Sequence, residues 1–171
     1  MRKIDQLLNE YGESHQNKTN KLIHWICVPA IFFSIVGLVW SIPLGPLKSI
    51  VLGFLHASIE GFQYVNWATI TLCLVFIYYI YLSIKLTFGM VVFSIGCLYL
   101  CNLLENLILS NTINIELWVI SLFIFIVAWI FQFIGHKIEG KKPSFFKDLQ
   151  FLLVGPAWLM HFIYKKLNIQ Y

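Results

Sequence analysis

Charge is what this chain lacks. Only 12% of its residues are Asp, Glu, Lys or Arg while 59% are hydrophobic, against roughly 25% charged in water-soluble domains. An ordinary soluble domain is excluded, and the chain must meet lipid. Long Ser, Gly or charged tracts are also missing and aromatic residues reach 17%, which excludes a disordered tail, a collagen-like repeat or a linker array. The net charge of +4 is too small and too dispersed for a nucleic-acid partner. The four cysteines, Cys27, Cys73, Cys97 and Cys101, sit in apolar stretches. Their spacing fits neither a CxxC zinc pair nor a disulfide framework, so they read as small buried hydrophobes. No cleavable signal peptide is expected, because a polar leader with Asp5, Glu10 and Glu13 precedes the first apolar run near Leu22.

What is present predicts one all-α, membrane-embedded domain over residues 1–171. In the leader, residues 1–20, Ile4, Leu7, Leu8 and Tyr11 recur at helical spacing, the mark of an amphipathic helix lying on the membrane surface. A bilayer core about 30 Å thick takes about 20 apolar helical residues. Four runs qualify as transmembrane helices: 22–40, 64–84, 86–109 and 113–134. Asn17 or Thr19 is the expected cap of the first. The connection 41–63 holds Pro43, Gly45, Pro46, Gly53, His56 and Glu60, predicting a turn and a short interfacial helix. Segment 145–164 carries a shorter apolar run, Phe151 to Tyr164, which Gly155-Pro156 is expected to break. It reads as a re-entrant or interfacial, half-inserted helix. Of the twelve basic residues, eleven fall on one side of this topology and only Lys48 on the other. The positive-inside rule then puts both termini in the cytoplasm.

Polar residues in or beside spans mark bundle interiors or sites. His15, His24, His136 and His161 are far apart in sequence, yet this topology places all four at the cytoplasmic boundary; His56 belongs to the opposite loop. Asn20 and His24 share a helical face, and Gln132, His136 and Glu139 form an i, i+4, i+7 stripe. On one straight helix His15 and His24 would point apart, so the chain between them must turn for both to reach one centre. Imidazoles without thiolates suit Fe, Zn, Cu or Ni. Interfacial histidines that merely keep a wet polar tip are the simpler alternative. Asn102, Glu105 and Asn106 read as structural, and Lys85 as the end of the second span. Lys18, Lys21 and Lys137 can attract a carboxylate, and Trp25, Trp129 and Trp158 can wall a hydrocarbon pocket. Solvated inside-positive charges and an aromatic belt account for the same residues.

Two sets of motifs carry a family resemblance. Tyr11-x3-His15-x4-Asn20-x3-His24 followed by Val28-Pro29 resembles the N-terminal signature of the membrane 2-hydroxy fatty acid dioxygenases of phytosphingosine breakdown. Gln132-Phe133-Ile134-Gly135-His136-x2-Glu139-x3-Pro143 and Leu152-Leu153-Val154-Gly155-Pro156 resemble the C-terminal motifs of the same family. The resemblance implies an Fe(II) enzyme that uses dioxygen to shorten a 2-hydroxy fatty acid by one carbon, releasing carbon dioxide. It implies His15, His24, His136 and His161 as iron ligands, the last standing where eukaryotic members carry an acidic residue. Asn20, Gln132 and Glu139 then become supports that accept the imidazoles' other N–H, with Glu139 a further candidate ligand. Lys18, Lys21, Trp25 and Trp158 become candidates for substrate binding. The likeness is to bacterial members, implying an inner-membrane location, where a eukaryotic member would occupy the endoplasmic reticulum. Two other functions fit the residues without the resemblance: a non-catalytic lipid-binding scaffold, and a haem electron carrier with two axial histidines.

Overall fold

The computed structural model describes residues 2–54, 63–140 and 145–170, with seven helices and no strand among them. They are α1 Lys3–Glu13, α2 Lys18–Trp40, α3 Pro46–Phe54, α4 Trp67–Leu82, α5 Ile84–Leu109, α6 Leu117–Glu139 and α7 Phe145–Lys166. His56, Glu60 and Pro143 lie outside the described residues.

The helix at the centre is α2, which runs antiparallel along α6 and also touches α4, α5 and α7. It starts because the Asn17 side chain accepts from the backbone N–H of Thr19 and Asn20, at 2.8 and 3.3 Å. A cap of this kind contributes about 1 kcal/mol. Close approach of α2 to α6 depends on two glycines: a Cβ on Gly135 would collide with Asn20 Oδ1, and one on Gly37 with Ser121 Oγ.

Among the described residues three helices, α2, α5 and α6, are long and apolar enough to cross a membrane, and the large apolar side chains they expose, such as Ile26, Phe88, Ile95, Phe123 and Ile130, need lipid around them. The expected span 64–84 forms a shorter helix. Its 16 residues reach only about 24 Å at 1.5 Å per residue. Its end is set by Ser83, whose extended backbone closes α4 and whose side-chain hydroxyl caps α5 by accepting from Leu86 N–H. Lys85 therefore does not end a span: it sits in the first turn of α5, and its Nζ donates to the Gln170 carbonyl at 2.7 Å. Glu105 is structural, accepting the Trp40 indole N–H at 2.7 Å at the other end of the bundle.

The two terminal helices meet each other. Ile4, Leu8 and Tyr11 of α1 are buried in the core with Ala157, Trp158 and Leu159 of α7. The apolar stripe expected to lie on lipid is thus largely covered by protein. Gly155-Pro156 does not break α7, which continues through Pro156. Proline removes the N–H that would bond the Leu152 carbonyl; the neighbouring Leu153 carbonyl, in the same turn, accepts the Tyr79 hydroxyl.

Candidate metal centre

Residues 14–17, between α1 and α2, supply the turn that lets His15 and His24 face one point. His15 follows the C-terminus of α1 and is 2% exposed; His24 is on the second turn of α2 and His136 near the end of α6, at 0% and 7%. One nitrogen from each ring lies within 4.8 Å of the others. Ring centroids are 4.2 Å apart for His15 and His24, 5.1 Å for His24 and His136, and 5.5 Å for His15 and His136.

Hydrogen bonding fixes two of the tautomers. His15 Nδ1 is 2.6 Å from the Tyr11 carbonyl, and His24 Nδ1 is 2.9 Å from the Asn20 carbonyl. A carbonyl only accepts, so each Nδ1 carries the proton and each Nε2 presents a lone pair. Both Nε2 atoms are buried without a protein partner, which costs about 1–3 kcal/mol apiece if nothing binds them. Burial also pushes the His15 pKa down to about 4, outweighing the hydrogen bond to the Tyr11 carbonyl, so the ring is neutral at pH 7. Three imidazoles, with two lone pairs orphaned and no thiolate in the group, fit a first-row divalent ion that keeps other coordination positions open. The rings meet edge-on with centroids 4.2 to 5.5 Å apart, which leaves no room for a porphyrin plane between any pair.

Over residues 1–167 the sequence matches the family described as 2-hydroxy-palmitic acid dioxygenase Mpo1-like. The chain belongs to the Mpo1-like family. No curated protein and no solved structure matches it. All three clustered histidines fall inside the matched range.

Four histidines were expected to converge, and three do. His161 is not in the cluster; half-buried on α7, it lines a groove of about 480 Å³ with His15, Gln16, Lys21, Trp158 and residues of α1. Nor does Glu139 join the ligand atoms. Its Oε1 accepts from Gln16 N–H at 2.8 Å, and its Oε2 from Asn17 N–H at 3.0 Å and from Asn20 Nδ2 at 2.9 Å. The carboxylate clasps the His15 turn onto α6. For His15 and His24 the expected side-chain acceptors are replaced by backbone carbonyls, which the i−4 geometry of the two helices delivers without a partner residue. Asn20 serves twice, through its carbonyl to His24 and its amide to Glu139.

Gln132 lines an inner cavity of about 30 Å³ with Tyr11, Val28, Ile31, Trp129, Leu152, His15 and His136. Lys21 borders the outer groove, and Lys18 is exposed on the first turn of α2. Trp158 is buried against Tyr11 and His15, at 5.2 and 5.4 Å between centroids. Trp25, by contrast, is 40% exposed and faces Phe162 in a separate groove. Sequence reasoning reads Tyr11 as part of the amphipathic stripe and of the N-terminal motif and not as a site residue, yet its ring stacks on His15 at 4.2 Å and 13° and its carbonyl sets the tautomer. The signal was present: Tyr11 precedes His15 by four residues, as Asn20 precedes His24.

Proposed function

We propose that this protein is an Fe(II)-dependent dioxygenase that shortens 2-hydroxy fatty acids by one carbon. The observation that carries the reading is the pair of buried, unpartnered Nε2 lone pairs, on His15 and His24, converging with His136 in a chain of the Mpo1-like family. His15, His24 and His136 would hold the ion. Iron bound there supplies activation of dioxygen and Lewis-acid anchoring of the acid's carboxylate and 2-hydroxyl. The reaction balances with one 2-hydroxy acid and one dioxygen giving the shorter acid, carbon dioxide and water. The C1–C2 bond breaks, C2 rises to the carboxyl level, C1 leaves as carbon dioxide, and dioxygen is reduced.

The chain's own residues divide the work. Lys21 and His161, beside His15 in the outer groove, meet the carboxylate, while the fixed tautomers keep both Nε2 atoms free of protons. Burial under Tyr11 and Trp158 keeps bulk water from the inner side of the histidines. In the bilayer, α4 completes a four-span bundle whose histidine end, with Lys85 and both terminal helices, faces the cytoplasm. Lys3 over the Tyr81 ring and Lys85 on Gln170 support that common end.

The test is incubation of detergent-purified protein with Fe(II), dioxygen and labelled 2-hydroxypalmitic acid. The acid one carbon shorter should form, together with labelled carbon dioxide when C1 carries the label. Retention of Fe(II) by the parent with no shortening would overturn the catalytic reading, and failure to retain it, with His15→Ala and His136→Ala indistinguishable from the parent, would favour a lipid-binding scaffold.

A further inference from the structure

Beside the inner cavity lies a second, wholly apolar one. It has about 70 Å³ and is lined by α2 through Phe32, Ile35, Val36 and Val39, by α4 through Ala68, Thr71, Leu72 and Val75, and by α7 through Leu152 and Leu153. Leu152 is the residue that lines both cavities. On α2 the two linings follow directly, Val28 and Ile31 on one side, Phe32 and Ile35 on the other.

Size and chemistry decide the occupant. Pockets that enclose ligands of many heavy atoms have about 300 Å³ or more, so an acyl chain does not fit. Polar guests are excluded too, because a water needs 2–4 polar partners and apolar cavities of this kind stay dry while admitting xenon. A small apolar gas fits both limits. The inner cavity differs: about 30 Å³ is room for one or two guests of water size, and it touches His15, His136, Gln132 and Trp129, whose indole N–H is buried without a partner.

We propose that the apolar cavity is a dioxygen site fed from the bilayer interior, and that Leu152 separates it from the inner cavity at the histidines. This rests on dioxygen being a substrate, as inferred above. The groove side of His15 then takes the polar head of the acid, and the cavity side takes the gas, so the two substrates do not compete for one entrance. Leu152 and Val36 are specificity-determining for dioxygen and have no part in holding the ion.

Xenon reports the site without turnover. Crystals of the protein pressurised with xenon should show an anomalous peak among Val36, Leu72 and Leu153, abolished by Val36→Phe and independently by Leu72→Phe from the facing helix. In the Fe(II)-loaded enzyme Val36→Phe should raise KM for dioxygen several-fold with kcat at saturating oxygen and KM for the acid unchanged, and Leu152→Trp should raise KM for dioxygen as well. No xenon peak in the parent, or displacement of xenon by 2-hydroxypalmitic acid, would overturn the proposal, the latter by making this the acyl-chain pocket. A xenon peak in protein that shortens no acid would overturn the catalytic reading alone and leave the gas cavity standing.

Discussion

Replacing Glu139 by glutamine keeps the shape of the side chain and removes its charge. The carboxylate accepts from two backbone N–H groups of the His15 turn and from the Asn20 amide. In Glu139→Gln one oxygen becomes an NH2 that faces donors, so one or two charge-assisted bonds are lost. Each contributes about 1.5–3 kcal/mol when buried; Glu139 is half-buried, so solvent reduces the total to about 2 kcal/mol. If the turn opens in the metal-free protein, that loss falls on ion binding and weakens it roughly thirtyfold, within the range for residues that support metal ligands. If the turn stays closed, the loss appears as a lower melting temperature. The assay is therefore paired: titration of metal-free protein with Co(II) followed by absorbance, and thermal melting in detergent with and without the ion. A variant that binds and melts like the parent would refute the clasp.

Gly135→Ala drives a Cβ into Asn20 Oδ1; overpacking of this kind costs about 1–3 kcal/mol and should lower the melting temperature in detergent, and an unchanged melt would refute the close approach of the two helices. His161→Ala should retain the parent's ion affinity while lowering affinity for the acid, whereas His24→Ala should lose the ion; equal loss from both would return His161 to the ligand set. The metal-free protein should be acid-sensitive through His15. Its folded pKa of about 4 lies below the ordinary 6.5, so between them the unfolded chain binds more protons. The stability from this group is complete above pH 6.5 and falls as pH drops toward 4, at up to about 1.4 kcal/mol per pH unit. His15→Gln should flatten that part of the profile in thermal melts, and an unchanged slope would refute the burial argument.

Composition and apolar run length were enough to read the helical membrane architecture, since burial of backbone in lipid leaves few alternatives. The end of α4 was not legible, because apolar residues continue on both sides of Ser83 and only the backbone turn there separates two helices. Nor was the continuity of α7, because Pro156 is a helix breaker by propensity and is accommodated by tertiary contacts around Leu153. At the site, sequence placed the histidines at one depth but could not give azimuth. The turn at 14–17 swings His15 toward His24, while the packing of α1 on α7 leaves His161 facing the groove. Backbone carbonyls as tautomer setters carry no residue signature beyond the i−4 spacing.

The pairing of α1 with α7 has a bearing on biogenesis. Residues 14 to 144 must leave the ribosome before the partner of α1 begins to appear, so α1 waits, its apolar stripe uncovered, while five further helices are made. His136 is translated late as well. If the three imidazoles hold an ion, they can do so only once α6 has been made, and nascent chains arrested before α6 is complete would bring no more than two of the three together.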